Sequence, residues 1–143
     1  IKAQEPLPPR DTGYPFHLHI HVPLAFSFGD GAHLPYLHGL AGAHLGEAWE
    51  TWLEIHPATA ESLGIADGRM VWVESPKGRI RAKARHYEGI RQDTVGLPFG
   101  LGHADMGRYA RGIGANPAEL LGWEKDSSGQ PLWQGARVRV HAA

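Results

Sequence analysis

Residues 65–87 read IADGRMVWVESPKGRIRAKARHY, and this stretch contains the clearest structural pattern of the chain. IADG is typical of a turn, MVWVES is typical of a strand, and PKGR is typical of a hairpin turn. IRAKARHY alternates basic and apolar residues, so it is predicted to be the returning strand. The stretch therefore predicts a β-hairpin.

Short strands are predicted on both sides of this hairpin. Before it, FHLHIHV at residues 16–22 alternates strictly, and WETWLEIHP at residues 49–57 follows a long loop over residues 23–46. After it, TVGLPFG at residues 94–100 and RVRVHAA at residues 137–143 are further strand candidates. PATAESLG begins with proline and ends with glycine, which predicts a helix of about two turns. Many short strands and few helices predict an all-β fold, a closed β-barrel with short helices and long loops.

The composition favours one globular domain and argues against several classes of protein. The chain has 143 residues, of which 42% are hydrophobic, enough for one domain with its own core. Its 14 basic and 15 acidic side chains give a formal net charge of -1. The chain therefore has no overall positive charge that would attract nucleic acid or an anionic membrane. No apolar run is long enough for a membrane helix, so no direct membrane insertion is expected. The chain contains no cysteine, which excludes disulfides, thiol nucleophiles and Cys-ligated clusters within it.

Three histidines, His17, His19 and His21, lie on one side of the predicted first strand. Because His-x-His pairs can chelate zinc, one alternative is a metal site, as in a His-dependent metallohydrolase. The other alternative is an ordinary polar strand face, which needs no added assumption because the strand offers no acidic residue or further histidine to orient the rings. The pattern leaves both alternatives open.

The strand RIRAKAR at residues 79–85 places its basic side chains on one face and Ile80, Ala82 and Ala84 on the other. The basic face suits nucleic-acid phosphates, but no aromatic platform is interleaved with it, so a solvated face is the favoured interpretation. The apolar face is predicted to point into the barrel. No complete dinucleotide fingerprint, GK[ST] phosphate loop or Gly-x-Ser-x-Gly elbow occurs, and the chain shows no evident nucleophile.

Residues 100–116 combine closely spaced glycines with polar side chains that suit a nucleotide-like ligand. Glycine lets the backbone approach a ligand, arginine binds phosphate or carboxylate in a forked geometry, and asparagine can bind a heterocycle edge. The alternative is a solvated surface loop, and composition alone does not decide between them. The polar candidates are His103, Arg108, Tyr109, Arg111 and Asn116.

The order of the motifs resembles a known family. The run W-x-x-W-L-E-I-H-P-A-T-A-E-S-L-G-I-A-D-G-x-x-V-x-V-E-S-P-x-G at residues 49–78 is followed by E-G-I-R-x-D, P-F-G-L-G-H and G-R-Y-A-R-G-I-G-A-N-P. This order is similar to the C-terminal molybdopterin-dinucleotide-binding domain of dimethyl-sulfoxide-reductase-type molybdenum and tungsten oxidoreductases. The similarity covers about residues 14–141. DGAHLPYLHGL and GRYARGIGANP most resemble the branch of polysulfide and thiosulfate reductases and the related subunit of alternative complex III.

The resemblance implies a double-psi β-barrel domain at residues 14–143, preceded by a Pro-rich linker at residues 1–13 that comes from missing upstream domains. Such a domain cradles the pterin and guanosine diphosphate parts of bis-molybdopterin guanine dinucleotide, while upstream domains carry molybdenum or tungsten and the chemistry. The domain would not be catalytic alone, and the isolated chain would be empty of cofactor. The expected partners are the upstream domains of the same polypeptide. The parent enzyme would also assemble with iron–sulfur and membrane subunits in a prokaryotic, extracytoplasmic electron-transfer complex. Nucleic acid is not an expected partner.

The resemblance also assigns residues to the cofactor. The loop at residues 27–34 corresponds to the family's first cofactor-facing loop, and the glycine turn beside a pterin corresponds to residues 100–103. This chain departs from the family at two places. The family's first strand is usually apolar where this chain has its three histidines. The family also usually has a polar residue ahead of a Pro-aromatic pair, where this chain has His33-Leu34. A stand-alone double-psi barrel for protein or nucleic-acid interaction is an alternative, since the pattern also resembles the amino-terminal substrate-recruiting domains of certain ATPases. The residues expected to bind cofactor are Ser27, Asp30, Gly100, Gly102, His103, Arg108, Tyr109 and Asn116, and no catalytic or metal-ligating residue is expected.

Overall fold

A closed barrel of six strands forms the centre of the computed structural model, which describes residues 13–125, 127–130, 133 and 135–143. The strands are β1 (Phe16–His21), β2 (Trp52–Ile55), β3 (Met70–Glu74), β4 (Arg79–His86), β5 (Thr94–Pro98) and β6 (Arg137–Ala142). The helices are α1 (Pro35–Ala41), α2 (Pro57–Ser62) and the short 3₁₀ helices Ala43–Leu45 and Pro117–Leu120. The predicted all-β, double-psi β-barrel with short helices and long loops is confirmed.

The predicted linker at residues 1–13 lies outside the described residues, apart from Gly13. Within the described part of the chain, no helix is both long and apolar enough to cross a membrane.

The strand order of the barrel brings two long loops to one end. Neighbouring strands follow the order β1-β5-β2-β4-β3-β6, and β6 closes the barrel against β1. The pairs β1–β5 and β2–β4 are parallel, whereas β3 and β4 form the antiparallel hairpin expected from the sequence. His21 at the end of β1 lies opposite Pro98 at the end of β5. The first loop (residues 22–34) and the second loop (residues 99–116) therefore begin side by side.

Inward-facing side chains of all six strands fill the barrel. Ile80, Ala82 and Ala84 are buried in the core as predicted, because alternate residues of β4 point inward. Leu120 of the 3₁₀ helix Pro117–Leu120 is also buried, 1% exposed. A single 3₁₀ turn has no periodicity from which burial could be predicted. The buried hydrophobic residues also include Leu18, Leu53, Ile55, Val71, Val73, Val95, Leu97 and Val138.

The basic face of β4 is solvated only in part. Arg79 and Arg81 are exposed, as expected. Lys83 Nζ and Arg85 Nη1 instead lie 3.0 and 3.3 Å from Oε1 of Glu47, which is only 4% exposed. The prediction of a solvated face is therefore wrong for these two residues. The loop that carries Glu47 folds over β4, and its buried carboxylate requires cationic partners.

The long connection after β1 contains more structure than its sequence indicated. Residues 23–46 were expected to be a loop, but they include α1 and the 3₁₀ helix Ala43–Leu45. The only buried residue of α1 is His38. A seven-residue helix with one buried side chain lacks the repeating apolar face by which helices are predicted.

Candidate functional site

The two loops touch through glycines at the end of β1 and β5. A Cβ atom added to Gly29 of the first loop would lie 2.9 Å from the Nε2 atom of His103 and 3.8 Å from the Cα atom of Gly100. A Cβ atom on Gly100 would lie 2.8 Å from the Cβ atom of Phe26. His103 Nε2 donates a hydrogen bond of 3.1 Å to the carbonyl of Gly100. The structure thus brings the predicted residues Gly100 and His103 together with the first loop.

Hydrogen bonds fix the second loop to the start of β2. The backbone amide of Gly102 donates to the carbonyl of Ile113 at 2.9 Å, so the loop folds back on itself. The buried hydroxyl of Thr51 donates to the carbonyl of Ala115 at 3.1 Å and accepts from its amide at 2.9 Å. These contacts make the second loop a fixed part of the barrel end.

Asn116 ends the second loop, and its side chain has a structural partner. Its Oδ1 atom accepts a hydrogen bond of 3.0 Å from the amide of Ala118 and so caps the helix Pro117–Leu120. A Cβ atom on Gly102 would collide with the backbone nitrogen of Asn116. The predicted residues Gly102 and Asn116 are therefore adjacent, but the amide oxygen of Asn116 is already used by the chain.

Arg108 and Tyr109 form the cationic part of the second loop. The guanidinium of Arg108 donates to the Tyr109 hydroxyl, and its Cζ atom lies 4.4 Å from the ring centroid. Arg108 is exposed, and a guanidinium has five N–H donors, so further donors remain for an anionic ligand. Arg111 already has an acidic partner, because its Nη2 atom lies 3.5 Å from a carboxylate oxygen of Asp105. Of the two arginines, Arg108 is better suited to bind an anion.

The predicted residues of the first loop, Ser27 and Asp30, have exposed side chains. Ser27 has a φ of 51°, in the left-handed region that side chains rarely adopt. Gly29, which lies between them, makes the contact with His103. The first loop therefore reaches the site through its backbone, with these two side chains facing outward.

Two further residues beside the site were not indicated by the sequence. The rings of His38 and Trp49 are stacked, with centroids 4.3 Å apart and planes at 7°. Trp49 also lies 6.4 Å from the ring of Tyr109. Trp49 was expected to begin the second strand, but its φ of 62° places it outside β2. The left-handed backbone of a tryptophan has no signal in the sequence pattern.

A second aromatic group flanks the glycine contact. Phe28 of the first loop lies 6.1 Å from Phe99, and Phe99 stacks on Trp133 at 6.0 Å and 8°. Phe99 and Trp133 also line a cavity of about 230 Å³ together with Trp123 and Lys125. The end of the barrel therefore has apolar surface on which a planar ligand can rest.

The histidine face of β1 meets a buried carboxylate. Glu54 is 7% exposed, and its Oε1 atom accepts a hydrogen bond of 3.1 Å from Trp52 and lies 3.6 Å from His21 and 3.4 Å from His44. Burial lowers the pKa of His21, as do His19 and His44 nearby, whereas Glu54 opposes the shift. The residues that the structure describes include no group of three or more His, Cys, Asp or Glu side chains that could hold a metal ion.

We expect His21 to make the folded chain less stable in mild acid. Its pKa is lower in the folded chain than the ordinary 6.5, so the unfolded chain binds more protons below that pH. This contribution is present above pH 6.5 and is lost as the pH falls from there towards the folded pKa. In His21→Gln the melting temperature should therefore fall less between about pH 7.5 and pH 5.5 than in the wild type.

Thermal unfolding followed by circular dichroism at several pH values measures this effect. His33 is exposed in the first loop, so His33→Gln is the matched control and should retain the pH dependence of the wild type. The same slope in all three proteins would show that His21 does not contribute.

The chain is similar to several known proteins. Residues 41–131 match the molydopterin dinucleotide binding domain. The menaquinone reductase molybdopterin-binding-like subunit of Nitratidesulfovibrio vulgaris is 32% identical over 95 residues, which are 66% of this chain and 14% of that protein. The arsenate respiratory reductase molybdopterin-containing subunit of Chrysiogenes arsenatis is 48% identical over 61 residues, 43% of this chain and 7% of that protein. The chain thus spans a small part of these relatives.

A solved structure confirms the fold. Acetylene hydratase from Pelobacter acetylenicus superposes with a TM-score of 0.68 at 22% sequence identity, over 91% of this chain and 18% of that one. The family match covers more than half of the chain and includes β2 to β5 and the whole second loop. The chain therefore belongs to the molybdopterin dinucleotide-binding domain family.

Proposed function

We propose that the first and second loops hold the cofactor in the form of bis-molybdopterin guanine dinucleotide, in contact with its pterin and phosphate groups. The observation that supports this most directly is the contact of Gly29 and Gly100 with His103. The backbones of the two loops approach closely there because neither glycine has a Cβ atom, and the ring of His103 packs against Gly29, so the two loops form one continuous surface at the end of the barrel. The proposal includes the eight residues named from the sequence.

The side chains around the glycines fit an anionic, planar ligand. Arg108 is exposed and supplies charge-assisted hydrogen bonds to phosphate oxygens, and Tyr109 holds its guanidinium in place. His103 is bonded to the carbonyl of Gly100, which orients its ring towards the first loop. Gly102 permits the tight turn against Asn116. When bound, the cofactor supplies the redox chemistry, and these residues bind it, orient it and exclude water.

We propose further that residues 14–143 work within a longer polypeptide whose upstream domains hold molybdenum or tungsten. The relatives support this, since the matched parts are 14% and 7% of their lengths. In this proposal the domain alone is not catalytic, and its grip on the cofactor is weak without the upstream contacts. Iron–sulfur and membrane subunits of a prokaryotic electron-transfer complex complete the proposed assembly. Reading the coding sequence upstream of Ile1 for Cys-rich, cluster-binding segments tests this proposal.

Arg108→Ala is expected to raise the dissociation constant for guanosine diphosphate about tenfold, because a charge-assisted hydrogen bond to phosphate is lost. Isothermal titration calorimetry on the 143-residue chain measures the constant, and a rise in melting temperature with ligand confirms binding to the folded state. Arg81→Ala removes an exposed arginine from β4 and is the control. Equal affinity in Arg108→Ala and wild type would contradict the role of Arg108, and no saturable binding by the wild type would contradict the proposed function.

A further inference from the structure

Trp49 has an unfavourable backbone conformation beside the proposed site. Its φ of 62° lies in the left-handed region, which is disfavoured for a residue with a bulky side chain. The described part of the chain has two other such non-glycine residues, Ser27 and Met106, and they lie in the first and second loops. Backbone strain of this kind persists where the surroundings hold it and is concentrated at ligand sites. Trp49 therefore belongs, by position and conformation, with the two loops.

His38 holds the indole of Trp49 from one side. The two rings are nearly parallel, 4.3 Å apart at 7°, and the edge of Phe26 packs on His38 at 5.0 Å and 63°. His38 is fully buried, and its Nε2 atom donates a hydrogen bond of 2.7 Å to the carbonyl of Ala32 in the first loop. Its Nδ1 atom is buried and has no hydrogen-bond partner among the described residues. The imidazole is thus fixed in orientation and serves as a rigid backing for Trp49.

Trp49 is nevertheless partly exposed. Although His38 covers one face, Trp49 keeps 41% of its surface exposed. The ring of Tyr109 lies 6.4 Å away, and the guanidinium of Arg108 lies over that ring. A partly exposed indole therefore lies close to a cation. This combination suits a ligand that carries a planar nitrogen heterocycle next to a phosphate.

We propose that Trp49 is a stacking platform for one planar heterocycle of the bound dinucleotide, either its pterin or its guanine. The inference rests on the proposed function and adds a residue to it that the sequence did not assign. Base–aromatic stacking needs a ring held rigidly with one face accessible, and the His38 contact provides the rigid backing. Arg108 then lies where the phosphate attached to the stacked ring can be bound.

The test compares three ligands and two matched tryptophan variants in the 143-residue chain. The ligands are guanosine diphosphate, neopterin and inorganic pyrophosphate, and calorimetry gives each dissociation constant. Trp49→Leu is expected to weaken binding of guanosine diphosphate or neopterin at least about tenfold, and to leave pyrophosphate binding unchanged. Trp72→Leu is the control, because Trp72 also lies beside two arginines, 4.7 and 5.7 Å from Arg79 and Arg81, but on the outer face of β3.

Each outcome has a defined meaning. If Trp49→Leu weakens only the binding of guanosine diphosphate, Trp49 stacks on the guanine. If it weakens only the binding of neopterin, Trp49 stacks on the pterin. If Arg108→Ala weakens binding and Trp49→Leu does not, the stacking role of Trp49 is wrong and the proposed function of the domain stands. If the wild type binds neither guanosine diphosphate nor neopterin, the stacking role of Trp49 and the proposed function are both wrong. Should Trp49→Leu not fold, Trp49→Phe replaces it, and its smaller ring should weaken heterocycle binding about two- to fivefold.

Discussion

The substitution Gly102→Ala is expected to destabilise the folded chain by about 2–5 kcal/mol, the sum of a left-handed backbone penalty and an overpacking penalty. Gly102 has a φ of 82°, which disfavours any residue with a Cβ atom. The added Cβ atom would also collide with the backbone nitrogen of Asn116 and lie 2.9 Å from its Cα atom. Backbone atoms cannot rotate away as a side chain can, so the second loop must shift.

Gly107→Ala is the matched control for this prediction. Gly107 has the same φ of 82°, but a Cβ atom there would meet nothing within 4 Å. Only the conformational penalty remains, so we expect a loss of about 1–2 kcal/mol. Urea unfolding followed by fluorescence measures both variants. Equal losses in Gly102→Ala and Gly107→Ala would show that the close packing of Gly102 against Asn116 does not contribute to stability.

Glu47→Ala is expected to lower the free energy of unfolding by about 3 kcal/mol, because it leaves two partly buried cations without their shared carboxylate. Glu47 is 4% exposed, and the side chains of Lys83 and Arg85 are 35% and 23% exposed. Arg85 keeps a contact of 3.2 Å with Asp67 and a hydrogen bond of 2.6 Å to the carbonyl of Leu45. These remaining partners place the loss at the lower end of the range for a broken buried pair.

A surface ion pair provides the comparison for Glu47. Lys77 and Glu124 lie 3.6 Å apart with side chains 53% and 71% exposed. Glu124→Ala should therefore cost less than about 1 kcal/mol. Urea unfolding of both variants tests the difference, and a loss in Glu47→Ala no greater than that in Glu124→Ala would contradict a structural role for the buried carboxylate.

The barrel could be predicted from the sequence because strand patterns are local. The alternation in residues 65–87 predicts β3, β4 and their turn, and the structure has them at Met70–Glu74 and Arg79–His86. The registers of β1 with β5 and of β2 with β4 could not be derived in this way. They join strands that are distant in sequence, and no local pattern specifies which residues lie opposite each other.

The site could be predicted only in part, for a related physical reason. Glycines in the second loop were recognisable from composition, and the structure brings Gly100 and His103 together with the first loop. The buried carboxylates Glu47 and Glu54 were missed, because the burial of a charged residue depends on cations or histidines contributed by distant elements. Trp49 was missed because its position depends on a backbone conformation that its residue type disfavours. The ligand contacts of the eight assigned residues remain predictions.

The seam between β1 and β6 sets when the domain can finish folding. It pairs Phe16 with Val138 and His17 with Arg137, so the ring of strands closes only after the last strand has been synthesised. Before β6 pairs, β1 and β3 each have an unpaired edge. Contacts between strands so distant in sequence form slowly, and aggregation can compete with folding in the meantime. Any ligand that binds only the closed barrel must therefore bind after β6 has paired with β1 and β3.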